Sequence, residues 1–148
     1  MMRRITVAMS VALVVFVASI AVGQDKKMSL EEYAALMKSN AQANGALNKA
    51  IGSGAYADAR TQVGVLRKNL ASLRPFWAER KRDDAVAILQ TGETRLASLD
   101  ALLGQATVPQ ADAQAAAKEF AGAVCAACHK QNREGDNQTG FKFKEGVF

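Results

Sequence analysis

Between Ser29 and Ile51 apolar side chains return every three or four positions, at Tyr33, Leu36, Met37, Ala43, Leu47 and Ile51, with Asn40 on the same stripe. That spacing is one face of an α-helix. Ser29-Leu30-Glu31-Glu32 has the form of a capping box at its start, and Gly52-Ser53-Gly54 is a stop signal at its end. A second helix is predicted from about Tyr56 to Leu73, burying Val63, Leu66 and Leu70, after which Pro75 permits a new start. A third is predicted from Phe76 to Leu103, with Trp77, Val86, Leu89, Leu96, Leu99 and Leu103 at roughly helical spacing and Gly92 weakening its middle. Gly104 and Thr107-Val108-Pro109 separate it from a fourth, Gln110 to about Arg133, and the stretch from Glu134 to Phe148 reads as irregular. Four amphipathic helices with short connections predict an all-α fold, an antiparallel four-helix bundle. Composition agrees, because Ala, Leu, Lys, Gln and Glu dominate and the only two prolines stand where helices could begin.

The N-terminus carries a different pattern. Met1-Met2-Arg3-Arg4 is a short basic region, Ile5 to Val22 is uncharged and mostly apolar, and Ala21-Val22-Gly23 is a small-x-small cleavage signal. Residues 1–23 are therefore expected to be a secretory signal peptide and residues 24–148 a single exported, periplasmic domain with one core. The apolar run borders the length of a spanning helix, so an uncleaved membrane anchor is the competing reading. The polar sequence Gln24-Asp25-Lys26-Lys27 follows at once and favours cleavage before Gln24, with no stable membrane insertion afterwards.

Losing residues 1–23 removes Arg3 and Arg4 and no acid, lowering the formal charge from +5 to +3. The remaining basic residues are scattered among acids, with no basic run interleaved with aromatics. A mixed solvated surface explains them, and nucleic acid is not an expected partner.

The chemistry is concentrated in five residues. Cys125-Ala126-Ala127-Cys128-His129 holds both cysteines and the only histidine of the chain. The C-x-x-C-H spacing is that of a c-type haem attachment site: each thiol can add to one vinyl group of a haem, and the adjacent imidazole becomes the proximal iron ligand. In a helix the three residues fall at i, i+3 and i+4, on one face. A redox dithiol is expected beside a βαβ pattern, and the chain shows no convincing strands. Closed zinc sites take about four Cys or His ligands, and only three crowded ones are available. A Cys125–Cys128 disulfide would suit an exported protein, yet it closes a very short loop and leaves His129 without a role. One haem c, bound through Cys125 and Cys128, is the expected cofactor.

With a signal segment, four helices and C-x-x-C-H on the last helix, the chain resembles the class II cytochromes c, a family comprising cytochrome c prime and its low-spin relatives. The resemblance spans essentially the whole mature chain. Its most specific parts are Cys125 to His129 and the run Leu36-Met37-Lys38-Ser39-Asn40, which looks like the segment that supplies a methionine ligand in the low-spin members. The family often extends its motif as C-H-x-x-aromatic-Arg; Arg133 fits, and Asn132 departs from it. The resemblance also implies a possible homodimer, formed through the first two helices.

Given a haem, elimination narrows the sixth iron ligand. There is no second histidine, and beyond residue 23 the only methionines are Met28, ahead of the helix cap, and Met37, on the apolar stripe. Two functions follow. With Met37 bound, the iron is low-spin with a raised potential, and the protein carries single electrons between redox partner proteins not identifiable from the sequence. With Met37 as a core residue, which is the commoner fate of a helical methionine, the distal face is an open apolar pocket like that of cytochrome c prime, for nitric oxide or carbon monoxide. Neither makes an enzyme, since no distal base is visible. Arg133 and Lys130 are candidates for pairing with haem propionates, and solvated surface charge is the alternative for both. Tyr33, Phe76, Trp77 and Phe120 are candidates for lining the pocket or for ordinary core packing. Phe141-Lys142-Phe143-Lys144 alternates apolar and basic residues and fits a strand, a cover over the haem edge, or a docking tail.

Export has a direct check. The mature protein should begin at or near Gln24 and be released with the soluble periplasmic fraction, as N-terminal sequencing and fractionation would show; recovery only in membranes with residues 1–23 intact would make the segment an anchor.

Overall fold

A computed structural model describes residues 27–136, 138 and 140–147; the expected signal peptide, residues 1–23, lies outside the described residues. Helix α1 runs over Leu30–Gly52. The Ser29 hydroxyl accepts from the Glu32 N–H at 3.1 Å, and the Glu32 carboxylate accepts from the Ser29 N–H at 2.7 Å, the reciprocal pair expected from the sequence. Tyr33, Ala43, Leu47 and Ile51 of the predicted stripe are buried, while Leu36, Met37 and Asn40 are half-buried. The helix ends in a Schellman motif: Gly54 takes φ 73°, its N–H reaches the Ile51 carbonyl, and the Ala55 N–H reaches Ala50.

Helix α2 spans Tyr56–Ala78 and passes through Pro75, so the predicted boundary there is wrong. An internal proline costs about 3 kcal/mol. Beyond it, however, Phe76 and Trp77 are each only 1% exposed. Aromatic side chains bury roughly 150–250 Å² each, worth about 4–6 kcal/mol at ~25 cal/mol per Å², so keeping the helix on course into the core outweighs the proline. The true break lies at Lys81, with φ 55°, where the Lys81 and Arg82 N–H groups bond to the Ala78 and Trp77 carbonyls in a second Schellman pattern. Helix α3 consequently begins at Asp83, not Phe76, and runs to Leu103. It buries Leu89, Leu96, Leu99 and Leu103 as expected. Gly92 is buried too: a Cβ there would lie 2.7 Å from Leu70 Cδ1 and 3.1 Å from Val124 Cγ1, so the position serves close approach.

The fourth helical run is continuous but not uniform. It consists of α4, Gln110–Phe120, a π-helical segment, Ala121–Ala126, and a short α5, Ala127–Asn132. The Gln110 side-chain amide donates to the Ile51 and Gly52 carbonyls, both at 2.8 Å, satisfying the end of α1 from the start of α4. Arg133, expected inside the last helix, is instead extended and opens a hairpin in the tail read as irregular. Strand β1, Arg133–Asp136, pairs antiparallel with β2, Gly140–Phe143, with Arg133 opposite Phe143 and Glu134 opposite Lys142. A Glu134–Lys142 ion pair at 3.1 Å spans the strands, and Phe143 turns toward the helices. Half-buried Phe143, Val147 at 5% exposed in the core, and the Lys144 N–H bonded to the Asn132 carbonyl hold in place a segment whose local sequence is ambiguous.

The protein is thus mostly helical, with one small sheet. Helices pack in chain order, α1 on α2, α2 on α3 and α3 on α4, and α4 also meets α1, enclosing a single apolar core. Among the described residues no helix is long and apolar enough to cross a membrane.

Gly64, in α2, has open space where Gly92 has neighbours. Gly64→Ala should stabilise by about 0.5–1 kcal/mol, the usual helix gain. At Gly92 the same gain meets an overpacking cost of about 1–3 kcal/mol, so Gly92→Ala should leave stability unchanged or lower it by up to about 2.5 kcal/mol. Parallel thermal melts check the contrast, and a rise for both variants would remove the packing constraint.

Candidate functional site

Cys125 lies in the π-helical segment, and Cys128 and His129 lie in α5. Cys125 therefore stands outside the regular α-helical spacing expected of it. All three residues nevertheless border one cavity of about 240 Å³, together with Met37 of α1. A single wide turn rotates whatever follows by about 100° relative to an unbroken helix, so the π segment sets which way Cys128 and His129 face with respect to α4. Val124, 2% exposed and packed beside Gly92, anchors that segment against α3. The rest of the wall is mainly apolar, including Leu70, Leu73, Trp77 and Leu89.

A second cavity of about 350 Å³ shares Tyr33, Met37, Cys128 and His129 with the first and extends under the hairpin to Asn132, Arg133, Phe141 and Phe143. Both volumes lie near the lower end of the range for ligand pockets. Tyr33 stacks on Phe76 with centroids 4.5 Å apart and meets Phe143 at 5.3 Å, so the wall between the cavities is backed by a packed aromatic cluster that also includes Trp77. Phe76 stands behind Tyr33, and Phe120 is core; neither borders either of these two cavities. Met28 borders neither cavity as well, which leaves Met37 as the methionine at the site. Arg133 borders the second cavity, its guanidinium 3.6 Å from the Phe141 ring centroid. Lys130 is exposed and contributes its backbone carbonyl to the Lys144 ammonium at 2.6 Å.

Burial dominates the electrostatics. Both cysteines are free thiols and half-buried. Burial raises the pKa of each; at Cys128 the Asn132 hydrogen bond opposes it. The His129 pKa is lowered, first by burial and then by the positive charge of Arg133, which favours the neutral imidazole that a metal requires. Burial also lifts the Tyr33 phenol above its ordinary value. Among the described residues no group of three or more His, Cys, Asp and Glu side chains is placed to hold a metal ion unaided. What the site offers an iron is one imidazole and one thioether.

Sequence reasoning missed a set of amides. Asn69 of α2, only 7% exposed, donates at 2.9 Å to both Ser39 Oγ and Asn40 Oδ1. Asn40 and Asn44 put polar groups on the mainly apolar wall, and Asn44 Oδ1 is buried without a partner among the described residues. The place of Asn40 on the stripe was the available signal; Asn69 and the buried Asn132 gave none in periodicity.

Comparisons with family models, curated proteins and solved structures give no match to this chain.

The thiols generate a prediction of their own. Only the thiolate attacks an alkylating reagent, and a raised pKa leaves less of it. Iodoacetamide should therefore modify Cys125 and Cys128 of the folded, haem-free chain more slowly than those of the denatured chain near neutral pH. The folded rate should climb at a higher pH than the denatured one; coincident pH profiles would show that burial does not control these sulfurs.

Proposed function

We propose that this chain is a periplasmic c-type cytochrome of the class II kind, an antiparallel four-helix bundle that carries single electrons between redox partner proteins. The observation that carries this reading is the convergence of Cys125, Cys128, His129 and Met37 on one largely apolar cavity from opposite ends of the sequence. The donor set fits a haem: two thiols to tether it, one imidazole whose neutral form burial favours, and one thioether from a different helix. When bound, the haem iron supplies a one-electron couple.

Cys125 and Cys128 hold the group through bonds that survive thermal motion. His129 would offer an imidazole nitrogen to its iron, and Met37 a soft sulfur of the kind that favours the reduced metal and raises its potential. Leu70, Leu73, Trp77 and Leu89 exclude water from the wall, so a change of charge needs little rearrangement around it. Arg133, on the hairpin beside the same wall, supplies a positive charge suited to a propionate. Four-helix topology agrees with the short connections, Ser53–Ala55, Glu79–Arg82 and Gly104–Pro109, between helices that pack in chain order.

Denaturing mass spectrometry should find the polypeptide heavier by one haem, which acidified organic solvent does not extract. Cys125→Ala or Cys128→Ala should reduce covalent incorporation, whereas His129→Ala should keep the thioethers and lose the proximal ligand. The oxidised wild type should be low-spin with a sulfur-to-iron charge-transfer band. Met37→Leu, a volume-conserving swap costing less than about 1.5 kcal/mol, should make it high-spin, lower its potential and open the ferrous form to carbon monoxide. A wild type that is already high-spin, with spectra and gas affinity unmoved in Met37→Leu, would replace electron transfer by gas binding at a five-coordinate iron.

A further inference from the structure

Asn132 ends α5 and is 2% exposed, the more buried of the two polar residues in the core. Its Nδ2 donates to the Cys128 carbonyl at 3.0 Å and lies 3.6 Å from Cys128 Sγ. A carbonyl accepts only from a donor, so these contacts settle which end of the amide is which: Nδ2 faces Cys128 and Oδ1 faces away. That oxygen is buried and has no hydrogen-bond partner among the described residues. Native interiors pair such atoms, and the exceptions call for a reason.

No cation among the described residues donates to it. Arg133 lies over Phe141, the Lys142 ammonium pairs with Glu134, and the Lys144 ammonium donates to the Lys130 carbonyl. His129 stands three residues before Asn132 on the same helix, a spacing that makes side chains neighbours, and both border the second cavity. An imidazole that gives one nitrogen to a metal carries a proton on the other, and that N–H takes an acceptor which fixes the tautomer, the ring plane and the basicity of the ligand.

We propose that Asn132 is a positioning residue for the proximal ligand: with the other His129 nitrogen given to iron, its Oδ1, unpaired among the described residues, would take up the Nδ1–H of His129, while its Nδ2 ties the same amide to Cys128. The assignment rests on the haem reading above and concerns a position where the resembled family carries an aromatic, so it is a feature of this chain.

The test follows the Nδ1 proton of His129 in the ¹⁵N-labelled ferrous holoprotein, with carbon monoxide added if the iron is high-spin, so that the sample is diamagnetic whether or not Met37 binds. The wild type should show a protected Nδ1–H. Asn132→Leu should speed its exchange at least tenfold, and Asn132→Asp, which keeps an acceptor, should restore protection. Tyr33 carries the rival donor on the shared wall, and Tyr33→Phe should leave the exchange unchanged. Equal exchange in the wild type and Asn132→Leu would mean that burial alone protects the proton, and would overturn the assignment. An unprotected proton in the wild type overturns it without any variant, which covers a failure of Asn132→Leu to fold. A chain purified without covalently bound haem overturns this assignment and the haem reading together; a chain that carries haem but lacks the protected proton overturns the assignment alone.

Discussion

Val124 against Gly92 is the contact on which the placement of the chemistry depends. Because Gly92 lacks a Cβ, the π-helical segment can lie against α3 with Val124 almost wholly buried, and Cys125 follows one residue later at the cavity wall. A side chain at position 92 would meet Leu70 and Val124 together, pushing on α2 and on the π-helical segment at once. The orientation of the C-x-x-C-H residues is therefore set by packing at Gly92, the tenth residue of α3. A π segment also lacks the steady 3.6-residue bond ladder, so it is held by such tertiary contacts more than by its own backbone.

A second constraint comes from the rings. Tyr33 of α1, Phe76 and Trp77 of α2 and Phe143 of β2 all contact one another, with centroid separations between 4.5 and 6.4 Å. The cluster explains two features that look unrelated. It carries α2 past Pro75, and it folds the hairpin back over α1, so that the second cavity has a roof. Its geometry is mostly edge-on or tilted, the arrangement that aromatic quadrupoles favour over a face-to-face sandwich.

How far the sequence revealed this depends on whether each signal was local. The α1 start was legible because the capping box involves four consecutive residues, and its stripe was legible because 3.6-residue spacing survives over six turns. The end of α1 carried a glycine for its left-handed residue, whereas the end of α2 uses Lys81, which bears no such mark. Pro75 misled because a local rule about missing N–H groups competed with burial that only the fold reveals. In the last helix, small alanines make a faint stripe, so the widening at Ala121–Ala126 left no trace in the spacing. The two cysteines and the histidine stood out because the chain has no others. Their convergence with Met37, some ninety residues earlier, was an inference from elimination and resemblance; the shared cavity is a geometric fact independent of both.

Burial acts on the two kinds of candidate ligand in opposite senses. A neutral imidazole and a neutral thiol are both favoured by a low-dielectric wall, but neutrality readies the imidazole to bind a metal and holds back the thiol as a nucleophile. Arg133 reinforces the first effect at His129, and Arg82 works against the second at Cys128, where Asp84 opposes it. A thioether has no proton to lose. If one formed, the same apolar wall that resists a thiolate would suit its sulfur as it suits the neutral thiol. Burial of this kind would thus slow attack by the thiolate without disfavouring a bonded sulfur.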